Sequence, residues 1–300
     1  MAAGLVFTMA RSYAQGTIFP HLEVEPLTDI EVREQRVAAI SADGNCIFLT
    51  SASSRGLSRY DIAEKKCTRI TEDEGAGIQP SVSSDGRHVL HRSVRFDEEQ
   101  ERRTSLILTD GTSREMMEAD MRQVGAYNME DGAAFSVKDG RRKARRLEAS
   151  AIGKERPIVS NEGLQLTITD GSGTTLLTPN GSGDEVAYLW ASLSPDGKHI
   201  LYYVSEEGTF VCDLQGENVQ FIAFDLRAPR WYNDEVIIGM NDRDDGTFIK
   251  SSAIVAYTLD GERQQLTDPQ QCLMYPFASA SADRIVCSTP AGEIFQIKTK

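Results

Sequence analysis

Histidine is scarce in this chain, at four residues of 300, and tryptophan scarcer, at two. So few imidazoles leave little for general acid–base catalysis or for a metal centre. His88 and His199 occupy matching places after Asp85-Gly86 and Asp196-Gly197 and read as strand starts, which leaves His21 and His91 unassigned. The five cysteines, Cys46, Cys67, Cys212, Cys272 and Cys287, form no close pair, which excludes a zinc ribbon or a redox turn. No G-x-S-x-G elbow occurs, so serine hydrolysis is set aside; Gly181-Ser182-Gly183 is a flexible turn. Asn241 to Gly246 resembles a calcium loop but has Arg243 at a ligand position and no closing glutamate. No stretch reaches the ~20 apolar residues of a membrane span. Basic residues (32) are outnumbered by acidic ones (45), and the net charge of -13 argues against general affinity for nucleic acid or anionic lipid. We expect no catalytic residue, no metal and no cofactor.

What the chain does have is repetition. Asp43, Asp85, Asp131, Asp196, Asp234 and Asp283 each precede a short apolar run, as in Ser194-Pro195-Asp196-Gly197 before Ile200-Leu201-Tyr202-Tyr203. Asp-Gly accepts the backbone angles of a tight reversal, and the run behind it has the length of a buried strand. Most intervals fit a four-stranded unit of about 40 to 50 residues. The interval from Asp131 to Asp196 is longer; with one hairpin signal at Asp170-Gly171 we read it as one unit carrying an insertion, giving six blades, whereas its division would give seven. Asp110-Gly111, Asp170-Gly171 and Asp260-Gly261 read as turns joining the outer two strands, and Val94 to Arg103, Lys138 to Gly163 and Asn241 to Lys250 as long connections sharing one face. The last unit ends after three strand candidates, so residues near Ile18 to Leu27 are expected to pair as its outer strand and close a ring.

The repeat resembles that of the TolB-like six-bladed β-propellers, Pro-x-Trp-Ser-Pro-Asp-Gly before an apolar strand. Ser194-Pro195-Asp196-Gly197 matches best, and Pro80 with Ser83, Asp85 and Gly86 and Pro229 with Trp231 and Asp234 match in part. The resemblance implies an all-β six-bladed β-propeller over residues 15–300; the separate α/β domain of TolB itself has no room here. Met1 to Ala10 is almost wholly apolar but lacks a positive n-region, and Ser12-Tyr13-Ala14 resembles a cleavage site, so residues 1–14 read as the remnant of a secretory leader and the protein as extracytoplasmic, periplasmic or secreted, the alternative being that Leu5, Val6 and Phe7 belong to a buried strand.

Two groups of residues stand out as candidate binding sites. Arg141, Arg142, Arg145 and Arg146, with Lys138 and Lys143, form a basic run in an acidic protein, suited to an anionic partner or to neutralisation by Asp97, Glu98, Glu99 and Glu101. Tyr188 and Trp190 lie on an innermost-strand candidate, where rings at a channel mouth suit a saccharide or peptide. The leading expectation is a non-catalytic protein-binding scaffold of the bacterial cell envelope with its partner on the loop-bearing face. The alternative is a carbohydrate-binding or carbohydrate-active propeller using its central channel.

Overall fold

A computed structural model of the chain describes residues 14–30, 35–130, 132–138, 140–147, 156–183 and 185–299. Asp131, Asp139 and, apart from Ala14, the expected leader lie outside the described residues. Seven antiparallel sheets follow one another along the chain, numbered here as blades 1 to 7. Their innermost strands are Gln35–Ile40, Ser81–Val82, Tyr127–Glu130, Ile158–Ser160, Tyr188–Leu193, Arg227–Trp231 and Met274–Ser279.

Seven apolar clusters, each spanning two neighbouring blades, hold the ring. Ile47 and Leu49 of blade 1 pack on Val286 and Ile294 of blade 7, while Phe48 and Cys46 of the same strand pack on Val89 of blade 2. Successive side chains of a strand point to opposite faces. An inner strand sandwiched between two blades must therefore be apolar at every position, which is why Ile47-Phe48-Leu49 is an unbroken run. Ile237 and Ile238 of blade 6 divide in the same way, towards blades 5 and 7.

The ring closes as the N-terminal reading expects. Leu22–Pro26 is the outermost strand of blade 7, antiparallel to Ile294–Thr299, with Leu22 opposite Thr299 and Pro26 opposite Phe295. Ala14–Gln15 adds a short parallel strand to blade 6.

The number of blades corrects the expected six to seven. Between Asp131 and Asp196 the chain forms parts of two blades, each with three strands among the described residues: blade 3, Tyr127–Glu130, Ala133–Lys138 and Arg141–Arg146, and blade 4, Ile158–Ser160, Leu166–Asp170 and Gly173–Leu177. Two short sheets fit where one long one was expected. The other expected loops are also mostly strand. Blade 2 carries Val89–Phe96 and Arg102–Thr109, and blade 6 carries Val236–Asp244 and Ile249–Thr258, so Val94 to Arg103 and Asn241 to Lys250 are the ends of two raised hairpins. The carboxylates of the resembled calcium loop serve its own turn: Asp244 accepts from the Gly246 amide at 2.8 Å, and Asp245 accepts from the Phe248 amide at 2.8 Å and pairs with Lys250 at 2.7 Å.

The repeated Ser-x-Asp-Gly corner is a closed hydrogen-bond unit. In blades 1, 2 and 5 the serine hydroxyl donates to the aspartate (Ser41–Asp43 2.6 Å, Ser83–Asp85 2.8 Å, Ser194–Asp196 2.7 Å). The same hydroxyl accepts the amide of Cys46, His88 or His199, each at 2.9 Å. Gly44, Gly86 and Gly197 take φ of 72°, 68° and 76°, a left-handed conformation that glycine enters without Cβ strain.

Burial opposes the ionisation of Asp85, but the Arg87 amide, the Ser83 hydroxyl and the Arg87 guanidinium outweigh it and hold the carboxyl down at about 2, against an ordinary 3.8. The folded state then binds fewer protons than the unfolded state in this range, so the corner's contribution is present above about pH 4 and lost as the pH falls towards 2. Urea denaturation at pH 5 and pH 2.5 should show a smaller acid-induced loss in Asp85→Asn than in the parent, the difference staying below about 1 kcal/mol because the group is partly exposed. An identical loss in both proteins would count against the corner as an acid-sensitive element.

Candidate functional site

The innermost strands enclose a central channel of about 830 Å3. Blades 5, 6 and 7 bend their innermost strand at the same kind of bulge, where the pairing skips between Leu189 and Ser192, Arg227 and Arg230, and Met274 and Phe277, and blade 1 has a smaller one between Val37 and Ala39. The bulge residues Trp190, Ala228 and Tyr275 are left-handed at φ 51°, 47° and 52°, and Gln79 holds the matching place in blade 2 at 48°. A non-glycine residue in that conformation costs roughly 1–2 kcal/mol. Bulges re-aim side chains, and the residues two places on, Ser81, Ser192, Arg230 and Phe277, all line the channel. Their recurrence explains the repeat prolines: Pro80, Pro229 and Pro276 each follow the bulge residue.

The channel inverts the charge of the protein. Its charged lining residues are Arg36, Arg92, Arg230 and Glu162. Three cations face one carboxylate, inside a chain whose net charge is -13. Arg92, with a side chain only 6% exposed, is fully engaged: it pairs with Glu162, donates to Tyr127 Oη at 2.8 Å and to Gln79 Oε1 at 3.2 Å, and lies 5.3 Å from the Tyr127 ring centre. Burial works against its charge, but Tyr127 and Glu162 outweigh that and hold its pKa above the ordinary value. Tyr127 in turn donates to Gln79 O at 2.9 Å, tying blade 3 to blade 2. This group is a structural clamp across blades 2, 3 and 4.

The residues singled out by sequence do not converge. Trp190 lines the channel with its ring edge-on to Tyr203 at 5.2 Å. Tyr188 is 3% exposed, packed in the cluster between blades 4 and 5, where its hydroxyl donates to Gly181 O at 2.8 Å and accepts the Asn180 amide at 3.0 Å. The arginines sit far out, on Arg141–Arg146, the outermost strand of blade 3. Their neutralising acids belong to the outer strand of blade 2 and not to the acidic Asp97–Glu101 turn. Arg145 Nε donates to both Glu115 oxygens at 2.8 Å, and Lys143 pairs at 2.9 Å with Glu118, whose side chain is 2% exposed. Asp97 and Glu101 pair with Arg103 instead, each at 2.7 Å. Arg142 turns inward over the Phe135 ring at 3.9 Å and pairs with Glu130 at 3.8 Å, while Arg141 and Arg146 are exposed. Charged side chains on a strand at the edge of the described sheet also deter edge-to-edge pairing.

His91 is wholly buried, its Nδ1 2.9 Å from Arg92 O, and His21 is exposed. Among the described residues no three His, Cys, Asp or Glu side chains gather as a metal would need.

These features define the class: a seven-bladed β-propeller with a cationic channel. No family model matches the chain, and no curated protein matches it. Among solved structures it is similar to the WD40 repeats of RRP9 (TM-score 0.58, 8% identity, 96% of this chain and 99% of that one). It is also similar to YCF48 bound to D1 peptide (0.57, 15%, 96% and 98%) and to TolB from Acinetobacter baumannii (0.52, 17%, 80% and 55%). At these identities the likeness is one of fold, shared by TolB-like and WD40 propellers alike.

Removing the Glu162 carboxylate would leave the Arg92 charge short of its partner in the interior. Glu162→Ala should destabilise by about 1–3 kcal/mol, and Glu162→Gln by less, in chemical denaturation. A neutral Glu162→Ala would show that the clamp is not held by this pair.

Proposed function

We propose that the protein is a non-catalytic, protein-binding propeller whose partner docks on the face bearing the raised hairpins. The observation that carries this reading is the position of the most exposed apolar side chains. Phe248, Phe96 and Phe224 are 67%, 64% and 64% exposed. Phe96 and Phe248 sit at the tips of the blade 2 and blade 6 hairpins, and Phe224 lies between the outermost strand of blade 5 and the innermost strand of blade 6. Strand direction alternates outward from the channel, so all three connections stand at the end where the innermost strands of blades 2 and 6 begin. Exposed aromatic rings on one face mark an interaction surface.

The two hairpins are two to four residues longer per strand than the six-residue strands of blade 1, about 7–13 Å at ~3.3 Å per residue. They are also braced: in blade 2 Val94 N donates to Glu74 O at 2.8 Å and Arg95 pairs with Asp120 at 2.8 Å, and in blade 6 Asp242 pairs with Arg227 at 2.9 Å. A braced tip loses little entropy on binding. YCF48, a propeller of like fold, has been solved with a peptide bound. Trp190 belongs to this reading as part of the channel between the tips; exposed Arg141, at the hairpin end of its strand, is a secondary, peripheral contact, and Arg146 stands at the opposite end. The TolB-like repeat and the apolar residues before Gln15 support a setting in the bacterial cell envelope. The channel wall sets the apolar Val37, Ala38, Ile78, Ala126, Val159 and Ala228 among its polar side chains, and its one carboxylate, Glu162, is taken by Arg92.

Photo-cross-linking amino acids placed at Phe96 and Phe248 should capture one discrete partner protein in cells, and one placed at Asp110, on the opposite face, should not. The pair Phe96→Ser with Phe248→Ser should weaken that complex at least tenfold with thermal stability unchanged. Equal capture from both faces would overturn the assignment.

A further inference from the structure

We propose that the channel is a carboxylate socket, in which Arg230, with Ser192 beside it on the next blade, receives an acidic side chain of a polypeptide entering from the hairpin face. The inference deepens the docking reading above and rests on it for the direction of entry.

The argument is a comparison of guanidinium groups within one cavity. Arg92 is supplied with Glu162, Gln79 and Tyr127. Arg230, in the same lining, has no hydrogen bond or ion pair to the described residues; its one specific contact is the Phe277 ring, 4.9 Å from its guanidinium carbon. Burial alone pulls its pKa down, to about 10, with no neighbouring acid to oppose it. A half-buried cation in a confined channel without a counter-charge is less favourable than a paired one, and folded chains ordinarily pair it.

Two further polar groups in the lining are similarly unfilled. Ser192 Oγ, at the place in blade 5 that Arg230 occupies in blade 6, is buried with no hydrogen-bond partner, and so is Arg36 Nε of blade 1. Arg36 donates through Nη2 to Ser54 and pairs with no described carboxylate. The unmet donors thus lie on blades 1, 5 and 6 around one space, whose charged residues sum to an excess of two positive charges. A carboxylate offers the acceptor oxygens that a guanidinium fork and a hydroxyl lack. The Phe277 ring occupies one side of Arg230 and leaves the donor edge available. The apolar walls named above suit the aliphatic stem of such a residue, and a low-dielectric cavity strengthens the attraction. Repulsion by the acidic outer surface makes the cavity selective for an anion delivered by docking over one that diffuses freely.

The full chain, labelled with 15N at arginine, can be titrated with four probes: an acetylated, amidated tetrapeptide containing one aspartate, its asparagine counterpart, galacturonic acid, and inorganic phosphate. The aspartyl peptide is expected to shift the Arg230 Nε–H signal to saturation, with half-saturation below about 1 mM, and the asparagine peptide to bind at least tenfold more weakly. Arg230→Gln should abolish the response and Arg230→Lys should weaken it. Neither variant should lower the melting temperature, because neither removes a partnered charge. Saturation by galacturonic acid with no response to the aspartyl peptide overturns the polypeptide assignment. Saturation by phosphate alone, or an unchanged response in Arg230→Gln, overturns the socket. The two readings separate cleanly. Hairpin-tip cross-links that persist while no carboxylate moves Arg230 remove the socket and keep the docking face, and a saturable socket without tip cross-links does the reverse.

Discussion

The pairing of Leu22–Pro26 with Ile294–Thr299 is the constraint on which the rest of this structure depends. Each blade buries both faces against its neighbours, so no blade has a complete core alone. Seven inter-blade clusters follow from seven blades only if the last packs on the first. Joining the two ends of the chain in one sheet, across more than 270 residues, locks Val286 and Ile294 against Ile47 and Leu49. Val24 and Leu22 pack in turn on the cluster between blades 6 and 7. The closing strand thus acts through packing on the interface between blades 6 and 7 as well as through its own backbone hydrogen bonds.

Closure also fixes the channel. Innermost strands set by a complete ring can hold strained bulges, because the surrounding packing over-determines them. Those bulges turn Ser81, Ser192, Arg230 and Phe277 inward and give an acidic protein a cationic interior. The two kinds of arginine in that interior differ in consequence. Arg92 is spent on stapling blades 2, 3 and 4 together, and Arg230 is left unspent. The raised hairpins stand over the same end, which joins an apolar outer contact to a charged inner one.

Much of this was legible in the sequence, for a physical reason in each case. The Ser-x-Asp-Gly corner needs a hydroxyl, a carboxylate and a left-handed residue at fixed spacing, so Asp43, Asp85 and Asp196 announce themselves. The closing strand was legible because the final unit lacked one strand and the first residues supplied it. Blade number was not, because Ile158–Ser160 is followed by Asn161–Gln165 in place of an Asp-Gly corner, and two three-stranded sheets occupy little more chain than one four-stranded sheet with an insertion. The partners of the basic strand were hidden because Glu115 and Glu118 approach across a blade boundary, where sequence distance says nothing. Tyr188, expected near the channel mouth, has its hydroxyl consumed by Asn180 and Gly181. Arg230 carried a faint signal. It follows the repeat proline Pro229 where the corresponding residues after Pro80 and Ala191 are serines, and a charge substituted at one copy of a repeated position sets that copy apart.

The closure is tested most directly by native-state hydrogen exchange, which reports the free energy needed to expose each amide. If the paired strands complete the ring, the protected amides of Leu22–Pro26 and Ile294–Thr299 exchange only with global unfolding, at the same free energy as Ile237–Ile238 in blade 6. Exchange of the Leu22–Pro26 amides at a much lower free energy, with the remaining blades still protected, would contradict it.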